Sequence, residues 1–328
     1  MTLVSIITPS YNQAAFLEKT IQSVLAQTGA QIEYIIIDGG SRDGSVNIIQ
    51  RYAGRLAYWV SEPDSGQAEA INKGLQRARG EIVAWLNSDD LYLPGAVSSA
   101  VAVLEQKPEL GMVFGDAITI DAAGRPLNRL VFGNWGLPEL MRFRIICQPS
   151  VFMRRSVLEK AGYLDPDYHF LLDHHLWLRI ASLAPIQHVS AYWSAARYHP
   201  AAKNVAQAAG FGKEAMRIFS WMEQHPQFAG RVAANRRQIL GGVHRLNARY
   251  LLDGDLPGPA LLAYMRALRV YPRYALQHWH RMIYALLSLV GLKGISRWYY
   301  QLRNEQRKKW DAIPGLDGWP GLVLEDRA

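Results

Sequence analysis

Glu81-Ile82-Val83-Ala84-Trp85-Leu86-Asn87-Ser88-Asp89-Asp90 is the stretch whose reading decides the fold. Its first six residues are short, apolar and bounded, the pattern of a buried strand. Pro94-Gly95 then opens a helical pattern through Val97, Val101 and Leu104. Asp89 and Asp90 therefore fall in the loop at the carboxyl end of a strand, where open α/β sheets bind ligands. Two adjacent carboxylates in apolar surroundings raise each other's pKa and favour a shared cation. Their hard oxygens suit Mg²⁺ or Mn²⁺ bridging to phosphate. Taken alone, a solvated Asp-Asp turn is an equal reading.

The residues before this stretch repeat its pattern three times. Leu3–Thr8, Ile32–Ile37 and Leu56–Val60 read as apolar strands, and each is followed by a polar loop and an amphipathic helix. The order β-α-β-α-β-α-β predicts a mostly parallel sheet covered on both faces, with its polar loops along one edge. The first strand leads into Pro-Ser-Tyr-Asn-Gln rather than Gly-x-Gly-x-x-Gly, and no Gly-Lys-Ser/Thr occurs. Hydride transfer on a dinucleotide fold and P-loop phosphoryl transfer are both disfavoured.

The 328 residues suffice for a catalytic domain and an appendage. A single cysteine, Cys147, rules out an internal disulfide and fits a reducing compartment. The first residues, Met1 to Ile7, run into strand pattern without a signal-peptide layout, and Met282–Leu292 is too short to span a bilayer. The expected location is cytoplasmic, with membrane-surface association open. Charge is uneven: residues 215–328 hold 17 Lys and Arg against 8 Asp and Glu, residues 1–214 hold 19 against 20. A basic tail on a neutral first part suggests two jobs.

Five signatures in order carry a resemblance. Thr8-Pro9-Ser10-Tyr11-Asn12, Asp38-Gly39-Gly40-Ser41-x-Asp43-Gly44-Ser45, Glu62-Pro63-Asp64-Ser65-Gly66, Asn72-Lys73-Gly74 and Asn87-Ser88-Asp89-Asp90 resemble the inverting family 2 glycosyltransferases, which have the GT-A fold. The resemblance covers about residues 3–205. It implies a nucleotide-sugar donor, UDP-linked by default, bound through Thr8, Pro9, Tyr11, Asp38, Gln67, Asn72 and Asp89. Asp38 would accept from the base and Tyr11 would stack on it, worth about 1–3 kcal/mol. Asp43 and Ser45 organise their loop. Asp90 would ligate Mg²⁺ or Mn²⁺ between the phosphates, with Asp89 on ribose or metal. Ser88 stands where the family's acidic motif often begins with an acid.

Downstream, Phe170-Leu171-Leu172-Asp173-His174-His175-Leu176-Trp177-Leu178-Arg179 leads into an amphipathic helix with Asp173 at its N-terminal end. It resembles the family segment whose aspartate is the general base; a helix cap is the plain alternative. Leu172 stands where the family often has another acid. Adjacent His174 and His175 lack the spacing of a zinc site. Arg197-Tyr198-His199 resembles the family's Arg-x-His segment, which would bring His199 to the diphosphate or its metal. Cys147 reads as a small buried hydrophobe.

From about Gly210 the pattern is helical, with Pro257-Gly258-Pro259 separating two helices and a last one around His278–Leu302 that mixes Trp and Tyr with Arg and Lys. That helix suits either an anionic membrane surface or packing on the catalytic domain. Nucleic acid is the less favoured partner. The expectation is a GT-A domain over 1–210, a basic, mainly helical region over 211–328, and sugar transfer to a glycan or lipid-linked acceptor in surface-polysaccharide synthesis. Nucleotidyl transfer and a non-catalytic sugar-nucleotide or glycan-binding module are the alternatives.

Overall fold

The computed structural model describes residues 1–199, 207–292, 294, 316 and 318–323. They divide into two compact units. The first holds 1–136, 146–198 and the described residues from 316 onward; the second holds 137–145 and the described residues from 199 to 294. The sequence reading cuts the chain once after residue 210; in the structure His199 opens the later segment of the second unit, and residues 316 and 318–323 belong to the first.

The first unit is built on one mixed sheet. Its strands are β1 (Leu3–Ser10), β2 (Gln31–Asp38), β3 (Tyr58–Ser61), β4 (Ile82–Trp85), β5 (Leu91–Tyr92), β6 (Met112–Ile120), β7 (Pro126–Leu130), β8 (Val151–Arg154) and β9 (Ile186–Arg197). Their order is β3-β2-β1-β4-β8-β6-β9-β5, with β7 on β6. β1 pairs in parallel with β2 and β4, and β2 with β3, as the repeated strand-helix pattern requires. β8 enters antiparallel between β4 and β6, and β9 runs parallel to β6. The apolar alternates of β1 explain the two-sided burial: Val4 and Ile6 join the cluster that takes in Leu17, Ile21, Val24 and Val97, whereas Ile7 meets Gly74 on the opposite face.

Helices α1 (Ala14–Leu25), α2 (Ser45–Tyr52), α3 (Gln67–Arg77) and α4 (Ala96–Gln106) follow β1, β2, β3 and β5. Gly95, at φ 75°, caps α4 in the left-handed region that a glycine adopts without strain. Further on come α5 (Leu137–Met141) in the second unit, α6 (Arg155–Ala161) and α7 (Leu172–Leu183). The short β5 and the arm β7 left no period in the sequence; each is specified by pairing, with β9 and β6 respectively. Near the chain end, Leu316 and Leu322 pack with Leu91, Leu93 and Ile118, and the Trp319 indole donates to Tyr92 O at 2.6 Å.

The second unit is helical: α8 (Ala208–Gln224), α9 (Pro226–Asp253), α10 (Pro257–Val270), α11 (Pro272–Leu276) and α12 (Trp279–Leu289). Pro257-Gly258-Pro259 does not lie between helices; it forms the first turn of α10, where proline's missing N–H costs nothing. Gly242 on α9 is fixed by a close approach, since a Cβ there would stand 2.1 Å from Arg142 O. Of the last predicted helix, residues 278–292 are described, and 293 and 295–302 lie outside the described residues.

Candidate active site

Four loops leave the carboxyl ends of β3, β2, β1 and β4, side by side in that order. The loop after β1 carries Tyr11, whose side chain is 62% exposed, the condition for stacking on a ligand. It is laced to the loop after β2. Asn12 N donates to Ser41 Oγ at 2.7 Å, Gln13 N to Ser45 Oγ at 3.1 Å and Ala14 N to Asp43 Oδ2 at 2.8 Å. Partial burial works to raise Asp43, but bonds from Ser45 and Ala14 outweigh it and hold the carboxyl below its ordinary value. Asp43 and Ser45 thus organise the loop.

Asp38, at the end of β2, is fully buried. Its Oδ1 accepts from Gly40 N, Ser41 N and Ser61 Oγ, and its Oδ2 from Ser41 Oγ at 2.6 Å. Thr8 is also fully buried, with its hydroxyl 3.0 Å from the Tyr34 phenol. In this conformation Thr8 supports the floor of the site from within rather than facing a ligand, and buried Pro9 pairs with Ile37 beside it. Asp64, which the sequence reading left without a role, lies over Gly39, where a Cβ would come within 2.8 Å of its Oδ2. Burial, and secondarily the charges of Glu69 and Asp38, raise its carboxyl against the Gly66 N–H and Lys73.

The strand that leads to Asp89 and Asp90, β4, runs two strands from β2, roughly 10 Å away at ordinary strand spacing. That span suits a nucleoside diphosphate laid across the sheet edge. Asp90 is buried, and Asp89 is half-buried beside it. Asp90 Oδ1 accepts from Arg197 N at 2.9 Å and Oδ2 from Asn87 Nδ2 at 3.2 Å. Asn87 in turn accepts from Gln67 Nε2 at 2.8 Å, so Gln67 joins this cluster through a relay. Thr20 on α1 donates to Ser88 O and Asp90 O, fixing the loop from below. Arg197 spends its guanidinium on the carbonyls of Asp89, Asp121 and Ala122 and stacks 4.9 Å from the Phe16 ring. It therefore positions the acid loop through the backbone that presents the carboxylates.

Burial first, and the adjacent Asp89 charge second, push the Asp90 carboxyl well above its ordinary range, against the pull of the Arg197 N–H, Asn87 and the Arg197 charge. Such a site gains from a divalent cation. No cluster of three His, Cys, Asp or Glu occurs among the described residues. Two carboxylates still fit Mg²⁺ or Mn²⁺, which bind through one or two protein acids with phosphate and water completing the shell. His199 follows Arg197 by two residues and begins the second unit; its assignment rests on the Arg-x-His resemblance.

Asp173 sits in the first turn of α7, half-buried, with Oδ1 accepting from His174 N at 2.7 Å. Trp177 lies one turn on, on the same helix face, and stacks on Trp85 with centroids 5.1 Å apart. Trp85 is the last residue of β4, directly before the Asn87–Asp90 loop. One aromatic stack thus couples the helix bearing Asp173 to the strand bearing the acid pair. Continued pairing sets Trp85, Val151 and Phe114 in one row across the sheet, and Phe114 gathers Phe132, Trp135 and His188. His188 Nε2 lies 2.7 Å from Asp116 Oδ1, which also accepts from Phe132 N. His174 and His175 are both buried within α7, with His175 4.4 Å from the Tyr168 ring. Cys147 is half-buried.

The Asn72 amide is committed elsewhere than to a ligand. Its Nδ2 donates to Leu164 O at 2.8 Å and its Oδ1 accepts from Leu164 N at 3.0 Å. Together with Arg179, which donates to the carbonyls of Ala161, Gly162 and Tyr163, it clamps the loop leading to Asp173. Asn72→Ala leaves both Leu164 groups unpaired, at a cost of about 1–3 kcal/mol. A lower Tm and faster proteolysis between residues 162 and 171 are expected; unchanged values for both would remove the clamp. The resemblance could not show this bond, because it joins residues 92 apart in sequence.

Residues 5–160 match the description Glycosyl transferase family 2. An uncharacterized glycosyltransferase of Mycobacterium tuberculosis (strain ATCC 25618 / H37Rv) is 31% identical over 188 residues, 54% of this chain and 68% of that protein. An uncharacterized glycosyltransferase of Rickettsia conorii is 30% identical over 60% of this chain, which spans only 34% of that relative's length. Among solved structures, Staphylococcus aureus TarS 1-349 in complex with UDP-GlcNAc has a TM-score of 0.57 at 16% identity, covering 88% of this chain and 92% of that one. The mannosyltransferase PcManGT of Pyrobaculum calidifontis, in complex with GDP-Man and Mn²⁺, gives 0.56 at 22% identity, over 88% and 86%. The mixed sheet, its strand-end loops and these likenesses make the fold GT-A with a helical C-terminal region, and the chain belongs to glycosyltransferase family 2.

Proposed function

We propose that the protein transfers a sugar from a nucleotide-sugar, UDP-linked in the first instance, to a hydroxyl of a glycan or lipid-linked acceptor, with inversion in a single displacement. The observation that carries this reading is the Trp85–Trp177 stack, which ties the helix whose first turn holds Asp173 to the strand that leads to Asp89 and Asp90. Tyr11 stacks on the base, and the loop ordered by Asp38, with Asp64 beside it, receives the base edge. Asp90, with Asp89, would hold Mg²⁺ or Mn²⁺, which when bound would offset the negative charge that develops on the leaving diphosphate. His199 is proposed as a further ligand to metal or phosphate on the resemblance alone.

Asp173 takes the acceptor hydroxyl proton as the acceptor oxygen bonds to the anomeric carbon. The bond from that carbon to the β-phosphate oxygen breaks, and the nucleoside diphosphate leaves. A role in surface-polysaccharide assembly accords with a glycan or lipid-linked acceptor.

The test is calorimetric titration with UDP, GDP and dTDP, each with and without Mn²⁺ or Mg²⁺, followed by assay of the released product from the matching sugar nucleotide. Metal-dependent binding of one nucleoside diphosphate, with that diphosphate as product, is expected. Pyrophosphate release would instead establish nucleotidyl transfer, and binding without turnover across acceptors would favour a binding module.

A further inference from the structure

Helix α12 has two unlike sides. Ala285 and Ser288 are buried, and Ala285 packs with Ala260, Ala263 and Tyr264 of α10. The opposite side carries Trp279, Ile283 and Leu286, followed by Val290 just past the helix end, exposed by 56%, 47%, 53% and 62%. At 100° per residue these four fall within about 60° of one another, a single apolar stripe. Leu276 before the helix is exposed as well, as are Leu262 and Met265 on α10. No helix among the described residues is long and apolar enough to cross a membrane.

Charge says what kind of partner this stripe meets. Residues 256–304 contain seven Lys and Arg and no Asp or Glu. Of these, Arg266, Arg269 and Arg273 are exposed, whereas Arg281 is paired with Asp253 at 2.6 Å. An apolar stripe with a tryptophan at its start, in a segment that carries Lys and Arg but no Asp or Glu, has the composition of an interfacial helix. A second copy of this chain would bring like charges together across the interface, whereas an anionic leaflet offers both an apolar bed and negative headgroups.

We propose that α12 docks flat on an anionic lipid surface, burying Trp279, Ile283, Leu286 and Val290 while Arg266, Arg269 and Arg273 meet the headgroups. The proposal stands apart from the donor reading: it concerns where the enzyme works, and it survives if the donor or metal is another.

The full chain is sedimented with vesicles of phosphatidylcholine alone and of an equimolar mixture with phosphatidylglycerol, at low and high salt. Binding to the anionic vesicles only, weakened by salt, is expected. Ile283→Ser with Leu286→Ser, and separately Arg269→Glu with Arg273→Glu, should each lower the partition by about tenfold or more. All the altered side chains are exposed, so circular dichroism and Tm should match the wild type. Absence of wild-type binding overturns the proposal, as does binding that the Ile283 and Leu286 changes leave intact. A dimer in sedimentation velocity that the same pair of changes dissolves, without vesicle binding, would assign the stripe to self-association instead.

Discussion

Asp173→Asn should bind the donor nucleotide as tightly as the wild type and lose turnover by about 10²–10⁴-fold, the usual contribution of a positioned general base. The substitution is isosteric and keeps an oxygen to accept from His174 N, so the first turn of α7 stays intact. The Trp85–Trp177 stack and the Asn72 and Arg179 clamps hold the helix by contacts that Asp173 does not make. What disappears is the capacity to take a proton. An unchanged KM for donor with a collapsed kcat separates this from a folding defect. Were Asp173 only a helix cap, Asn would serve nearly as well and turnover would persist. That outcome would move the base elsewhere.

Asp90→Asn should act in two opposite directions. Without metal, the wild-type carboxylate is buried beside Asp89 and its carboxyl is pushed up from the ordinary range. A carboxyl whose folded-state pKa is raised favours the protonated form in the fold. Its stabilising contribution is complete below the unfolded pKa and is lost as pH rises through the folded value. Above that folded value the metal-free protein therefore carries a buried charge, which Asn removes. The variant should match or exceed the wild-type Tm there without metal. The difference should close on acidification, when the wild-type group takes up its proton.

With Mn²⁺ or Mg²⁺ present the order reverses. The wild type gains stability and tightens its hold on the nucleoside diphosphate, whereas Asp90→Asn shows neither effect and loses turnover. Binding of the metal should also strengthen as pH rises through the raised carboxyl value, because the ligand must be deprotonated. A metal-free variant that melts well below the wild type, or one that keeps the metal-linked tightening, would refute the assignment. The first result would mean that the bonds to Arg197 N and Asn87 outweigh the charge.

The parallel half of the fold was legible because its signal is local. Four strands, three of them largely buried, alternate with amphipathic helices, and the strand-end loops carry residues that cannot extend a strand or a helix. Asp43, Ser45 and Asp173 each appear where the local pattern put them, since loop ties and helix first turns are short-range features. The other half depends on pairing between distant segments. β5 is two residues long and exists through its partner β9, and β8 is turned against β4 after a chain excursion of 65 residues. No period marks either one. Pro257-Gly258-Pro259 misled for a simpler reason: proline is as acceptable at the first turn of a helix as between helices, and the sequence alone does not distinguish them.

By itself the sequence determined that acids and an exposed aromatic would stand at the ends of parallel strands, because hydrophobic periodicity fixes which residues must leave the sheet. Only the tertiary structure decided what each does there. It turned the Thr8 hydroxyl inward to Tyr34, spent the Asn72 amide on Leu164, and wrapped Arg197 around the backbone that presents Asp89 and Asp90. It also placed Trp177 on Trp85, which ties the helix bearing Asp173 to the strand before the acid loop. Polar groups buried on folding must find partners, and those partners come from whichever segments packing brings near. That choice is made between residues tens of positions apart, beyond the reach of any local pattern.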